Sequence, residues 1–357
     1  MRQLATIRRI DEIRAIPDAD AIECAVVGGW TVVIRKGEYV AGDLALYLEI
    51  DSWVPHDVAA FLSKGQEPRT YEGVKGERLR TIKLRGQISQ GLLLPVERDY
   101  EHDIDDTDYE RAIDFVSRNG QYVMVQEGDD VTEFLGILKW DAPIPAQLAG
   151  QVKGVFPGFM PKTDQERIQN LTVELADWIA QGLHWEKTEK LDGTSMTVYF
   201  RNGEFGVCGR NWELTETETN SLWRAAKAAD LENKMRNFGR NLAIQGELIG
   251  EGIQSNSYKL KGHQFYVFDM YDIDSGTYLD STDRMSITTK FGINHAPVEG
   301  CVTLDQDTTA GKLLFDAEGK SKLGSTTERE GFVYKCIEDP SISFKAISNK
   351  FLLKSGG

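Results

Sequence analysis

One stretch constrains this chain more than any other: Trp185-Glu-Lys-Thr-Glu-Lys-Leu-Asp-Gly-Thr-Ser-Met-Thr-Val-Tyr-Phe200. Lys190 stands two residues before Asp192-Gly193, a turn signal. The run Ser195 to Phe200 is rich in β-formers, and Asn202-Gly203 predicts a tight hairpin back into Phe205–Gly209. A lysine held at such a turn has its amine in a fixed place, with a carboxylate one step away. Most lysines near a hairpin are only surface lysines, so the weight falls on the residues that follow it in order.

The chain has 357 residues, enough for two domains with separate cores. No apolar run approaches ~18 residues, so no membrane-spanning helix is expected. The N-terminal residues lack the apolar region of a signal peptide, which points to a cytoplasmic protein. Cys24, Cys208, Cys301 and Cys336 are far apart and read as reduced thiols rather than disulfides or metal ligands. A net charge of −15 argues at first against a nucleic-acid partner. The charge is unevenly spread, however: residues 101–141 hold twelve acidic and three basic side chains. Val74–Ser89 instead carries Lys75, Arg78, Arg80, Lys83 and Arg85 against Glu77 alone. The local field, not the total, governs phosphate binding.

Residues 1–100 read as a small β-barrel of the OB type. Trp30, Val32 and Ile34 alternate, as do Leu44, Leu46, Leu48 and Ile50, and a short helix is expected over Asp57–Ser63. Residues 101–162 read as an acidic segment and linker, crossed by Pro143, Pro145, Pro157 and Pro161. The second domain, 163–357, opens on Thr163-Asp-Gln-Glu166, a capping-box pattern that predicts a helix to about Gln181 with Arg167 and Asn170 on it. Beyond the Lys190 hairpin, helices are expected over Ser221–Phe238 and Thr282–Phe291. Strands are expected over Ala243–Ile249, Phe265–Asp272, Glu330–Lys335 and Ser343–Ser348. The fold class is therefore α+β.

A turn lysine beside Asp192, two lysine-bearing strands and a strand with a lone acid make a cleft of mixed charge. Such a cleft suits a polyphosphate and a divalent metal better than an apolar ligand. A nucleophilic lysine must first lose its proton, which from a pKa of about 10.4 costs roughly 4.6 kcal/mol at pH 7. Lys335, Lys345 and a bound metal are expected to lower that cost by disfavouring the ammonium.

Lys190-Leu-Asp-Gly resembles the adenylation motif of the covalent nucleotidyltransferases. Gly246–Gln254, Phe265–Asp269, Glu330–Lys335 and Phe344-Lys345 are similar to the motifs that follow it in ATP-dependent RNA ligases. Residues 1–96 resemble the N-terminal OB module of the Deinococcus and Naegleria type. The resemblance implies an ATP-grasp-like nucleotidyltransferase domain of antiparallel sheets with flanking helices. DNA ligases usually place an arginine where this chain has Ser195 and an OB domain after the last lysine motif. The resemblance therefore favours RNA over DNA and puts the barrel at the N-terminus.

What it implies residue by residue is a lysyl-AMP on Lys190, with Lys345 and Glu330 as further catalytic groups. Phe268 would stack on adenine, and the backbone at Thr188-Glu189 would read its amino edge. Arg210 would contact the nucleotide or the RNA end. Asp192, Glu247 and Glu330 would orient hydrated Mg2+ or Mn2+, Lys335 and Lys345 would hold phosphate oxygens, and Arg167 would meet the departing pyrophosphate. The expected substrate is RNA with 3′-hydroxyl and 5′-phosphate ends, as in a nicked duplex, sealed by a monomer in RNA repair. Two other readings stay open: a DNA or mixed polynucleotide ligase, and a non-catalytic OB-type RNA-binding protein. The last motif lacks the second lysine of a lysine-x-lysine pair, and its second cation is left open.

Overall fold

The computed structural model describes residues 2–102, 110–141 and 150–355. It groups into two units, Met1–Pro143 with Leu352–Gly357, and Ile144–Phe351. Among the described residues no helix is long and apolar enough to cross a membrane.

The first unit is built from short antiparallel strands. Ile22–Val27 and Trp30–Arg35 pair as a hairpin, and Trp30, Val32 and Ile34 are all buried, as their alternation predicts. Leu44–Leu48 differs from its simple alternation: Leu46 and Leu48 enter one apolar cluster while Ala45 and Tyr47 enter another. The strand lies between Ala5–Arg9 and Leu92–Pro95 and is covered on both faces. Among the described residues the strands form several sheets rather than one closed ladder. The expected helix over Asp57–Ser63 shrinks to a single 3-10 turn, Ala60–Ser63. The basic segment ends in a separate hairpin, Ile82–Leu84 with Gln87–Ser89. Arg85 and Gly86 take positive φ values of 47° and 81° at its turn, which matches the right-handed twist of the strands.

The acidic stretch is not a bare linker. Glu97–His102 pairs with Glu110–Arg118, which pairs in turn with Gln121–Met124, a three-stranded meander whose Val116 is buried. Val116 and Val123, paired across two of its strands, pack on the apolar cluster of the first unit and supply the face that a solvated linker lacks. Pro143 and Pro145 lie outside the described residues.

The second unit carries two main sheets. One runs Val152–Val155, Trp212–Leu214, Glu204–Cys208, Thr194–Arg201, Leu242–Gly250, His263–Asp272 and Thr277–Tyr278, with Asn294–His295 added in parallel to His263–Asp272. The other runs Glu166–Arg167, Ser343–Ile347, Gly331–Cys336, His184–Lys190 and Val298–Thr303. Helices Ser221–Ala228, Leu231–Phe238 and Ser281–Phe291 pack on the first through Trp223, Met235, Ile287 and Phe291. Helices Thr172–Gln181 and Ala310–Asp316 pack on the second through Leu175, Leu313 and Leu314.

Two helix expectations change. Thr163 and Glu166 form no capping box: Glu166–Arg167 is extended and pairs in parallel with Phe344–Lys345, so the helix starts only at Thr172. The single helix expected over Ser221–Phe238 is two, broken where Asp230 takes a φ of 51°. Asn220 caps the first, its side chain accepting from the N–H groups of Leu222 and Trp223.

Candidate active site

Strand parity decides which side chains meet. In the second sheet Trp185, Phe332, Tyr334, Phe344 and Ala346 enter the helix-covered core. Their neighbours Thr188, Lys190, Val333 and Lys345 therefore emerge on the opposite face, and all four line one cavity of about 320 Å³. Glu247 comes from the first sheet, opposite Ser195 and Tyr266, while Leu248 beside it faces the helices. Asp192, Arg210, Glu330 and Phe268 complete this set of expected residues on the cavity wall.

Phe268 owes its position to a bulge. Gln245 pairs with Asp269 and Gly246 with Val267, which leaves Phe268 as the extra residue. Val267 and Met270 both enter the helix-covered core, so the bulge turns Phe268 and Asp269 together to the other face. Gly193 is fixed by crowding instead. A Cβ there would meet the carbonyl oxygen of Leu248 and stand 2.9 Å from Glu247 Cγ. The Asp192-Gly193 turn can thus lie directly on the Glu247 strand, and Gln254 donates to Gly193 O (3.0 Å).

Lys190 Nζ lies 2.8 Å from a Glu330 carboxylate oxygen. Burial alone would lower the Lys190 pKa, but Glu330, Glu247 and Asp192 outweigh it and hold the amine above the ordinary lysine value. The expected effect of neighbouring cations on Lys190 is thus reversed in the free protein, because the carboxylates stand closer. Burial also raises Glu247, to about 8, reinforced by Glu330 and Asp192 and opposed by Lys190. Asp192 is raised by burial and by Glu330. Lys345 is lowered to about 7, first by burial and then by Arg167 and Lys190.

Lys335 does not line this cavity. It points to the same face but one step further along its strand, where its ammonium pairs with buried Asp269 and lies 4.3 Å from the Tyr278 ring centre. Arg167 is also off the cavity wall, although strand pairing sets it opposite Lys345. Glu189 turns its carboxylate away, accepting from the Lys322 N–H (2.9 Å). Sequence reasoning missed Thr163, Asp164, Gln165, Gln254 and Ala296, which also line the cavity. The first three have the letters of a helix start, and Gln254 ends the Gly246–Gln254 motif, whose pattern gives it no role.

Three hard-oxygen carboxylates, Asp192, Glu247 and Glu330, line one cavity and suit a divalent cation. Among the described residues no group of three or more is placed to ligate an ion directly, so the donor set fits a hydrated cation reached through its waters.

Comparison with known proteins identifies both parts of the chain. A family model described as an OB-fold domain matches residues 4–96, and one described as RNA ligase matches residues 183–350. The Naegleria gruberi RNA ligase solved with PPi is 45% identical over 99% of this chain and 99% of that one, with a TM-score of 0.76. A glutamate variant of that ligase with AMP and Mn gives 45%, 99%, 99% and 0.77. A lysine variant with ATP and Mn gives 45%, 98%, 98% and 0.76. Among curated proteins there is no match. Likeness at this level, over nearly the whole length of both chains, places the chain in the RNA ligase family, as an ATP-dependent RNA ligase with an OB-fold domain ahead of its ligase domain.

Proposed function

We propose that the chain seals RNA 3′-hydroxyl and 5′-phosphate ends, as at a nick in a duplex, by passing AMP through Lys190. The observation that carries this reading is the Lys190–Glu330 contact of 2.8 Å inside a cavity shared with Glu247, Phe268, Arg210 and Lys345. Once free of its proton, the Lys190 amine attacks the α-phosphate of ATP; a phosphorus–nitrogen bond forms and pyrophosphate leaves. Glu330 is placed to take that proton, being the carboxylate in contact with Nζ. Phe268 offers its ring to the adenine, and main chain at Thr188-Glu189 faces the base edge. Lys345 and Arg210 meet phosphate oxygens from the cavity wall, and Arg167, beside Lys345, is the candidate for pyrophosphate. The RNA 5′-phosphate then attacks the adenylate, freeing Lys190, and the 3′-hydroxyl displaces AMP to close the strand.

Asp192, Glu247 and Glu330 would hold a hydrated Mg2+ or Mn2+, as the Mn in the related structures supports; bound there, it supplies positive charge against the phosphates. Lys335 is not proposed to touch phosphate while it is paired with Asp269. The proposed functional division is an OB domain over residues 1–100 and an adenylyltransferase domain over 163–357, with 101–162 between them. All the proposed side chains come from one chain, so a monomer suffices. The four free cysteines suit a cytoplasmic setting.

The test is incubation with α-labelled ATP and divalent metal, followed by mapping of the adduct. Label is expected on Lys190 and none in Lys190→Ala. Label retained by that variant, or mapped elsewhere, sinks the reading. Nicks carrying ribose or deoxyribose at the 3′-hydroxyl side separate RNA from DNA joining.

A further inference from the structure

The rim of the cavity carries an ion pair whose acidic member, Asp164, has no part in the proposed reaction. Thr163, Asp164 and Gln165 all line the cavity, and their segment is tethered at both ends. On one side the hydroxyls of Thr163 and Ser195 are hydrogen-bonded (2.8 Å). On the other, Arg167 is paired in register with Lys345. Between these tethers both carboxylate oxygens of Asp164 accept from a single Arg210 nitrogen, at 2.7 and 3.0 Å. Two oxygens on one guanidinium nitrogen is a grip that a phosphate can also make. The pair is open to water, with side-chain exposures of 63% for Arg210 and 40% for Asp164. A pair so exposed is weak and exchangeable. The carboxylate also acts on Lys345, opposing the depression that Arg167 and Arg210 impose on it.

We propose that Asp164 is a positioning residue that stands in for a phosphate: it holds Arg210 at the rim until a phosphate oxyanion displaces it, and so limits how tightly that anion is kept. This rests on the reading that the cavity takes ATP and RNA 5′-phosphate in turn. The sequence of steps explains the use of such a competitor. Pyrophosphate has to leave after adenylation and the RNA end has to enter, so a cationic rim that held either too firmly would stall the cycle. A built-in carboxylate returns Arg210 to a neutral pair each time an anion departs. The anion can come from the pyrophosphate half of ATP or from the RNA end; the chemistry recognised is the same.

The test uses the full chain with Asp164→Asn, which removes the charge and keeps the shape; Asp164→Ser serves if the first variant folds poorly. Inhibition of adduct formation by pyrophosphate is measured, together with binding of 5′-phosphorylated and 5′-hydroxyl oligoribonucleotides. The pair's exposure sets the expected gain at about two- to fivefold for a phosphate-bearing ligand. The gain should disappear in the Arg210→Gln background. A gain for pyrophosphate identifies the triphosphate as the displacing anion; a gain for 5′-phosphorylated RNA alone identifies the RNA end. The proposal is overturned if neither ligand binds more tightly. It is equally overturned if the gain persists without Arg210, or if 5′-hydroxyl RNA gains as much. Adduct formation on Lys190 in the unmodified chain, scored in the same experiment, reports separately on the function itself.

Discussion

At the scale of single residues the site is a set of groups held away from their ordinary ionisation. Lys345 is the clearest, lowered to about 7 by burial and by Arg167 and Lys190. A lysine whose pKa is lower in the folded chain binds protons more weakly there than when unfolded. Its contribution to stability is therefore present above the ordinary lysine pKa and is lost as pH falls through about 7. Lys345→Met should accordingly be more stable than the parent at pH 7, an advantage that shrinks toward pH 10; thermal melts across that range decide it. Phosphate oxygens beside Lys345 restore its ammonium, so ATP binding at pH 8 should take up most of one proton, and at pH 6 almost none. Titration calorimetry in buffers of different ionisation enthalpy reads this directly. Uptake that survives in Lys345→Arg, whose guanidinium stays charged, would assign it to another group. Lys335 differs because it already has its counterion. Lys335→Met leaves Asp269 buried and unpaired, and should lose about 3–5 kcal/mol in denaturant unfolding. Replacing both partners with apolar residues should recover most of that, whereas a phosphate-binding role predicts no rescue of nucleotide affinity.

At the scale of elements, two glycine turns separate site from scaffold. Asn202 and Gly203 take φ values of 50° and 88°, the two left-handed residues of a tight hairpin. Gly203→Ala should destabilise by about 1 kcal/mol and leave adenylation intact. Gly193 has no such φ, but a Cβ there would strike the strand carrying Glu247. Gly193→Ala should therefore cut adduct formation tenfold or more and also lower the melting temperature, since the backbone carbonyl of Leu248 must give way. Equal losses of activity in the two variants would refute the distinction. These turns were legible because Asn-Gly and Asp-Gly have local causes. So were the strands that carry Glu247 and Lys345 and the one that begins beside Glu330, whereas the strand His184–Lys190 that ends on Lys190 was not. What could not be read depends on pairing across the chain. Phe268 and Asp269 share a face only because of a bulge against Gln245 and Gly246. Lys335 misses the cavity because Asp269, so turned, lies across from it. Thr163–Glu166 has the letters of a helix cap, but an open edge beside Phe344–Lys345 takes Glu166–Arg167 as a strand. In each case a partner distant in sequence outweighed the local signal.

At the scale of the whole molecule the question is how a chain with a net charge of −15 engages a polyanion. The first unit concentrates both signs. Lys75 pairs with Glu67 (2.7 Å), and Arg78 pairs with Asp51 and lies 3.6 Å from the Trp140 ring centre. Those two cations are thus already partnered. Arg80, Lys83 and Arg85 are exposed at the neighbouring hairpin, beside Ile82 and Leu84, which are 49% and 39% exposed. Cations interleaved with apolar side chains on a small β-element suit the backbone and bases of single-stranded nucleic acid. Each phosphate contact releases counterions, contributing about −0.7 to the slope of log affinity against log salt for a single strand. Arg80→Gln, Lys83→Gln and Arg85→Gln together should therefore weaken RNA binding most at low salt and flatten that slope by about two units. Adduct formation should be unchanged, because no cavity-lining residue belongs to this hairpin. If the slope kept its value while affinity fell, the hairpin would act through folding rather than charge. If neither moved, the acidic total would be neutralised elsewhere, and the hairpin would be a solvated edge.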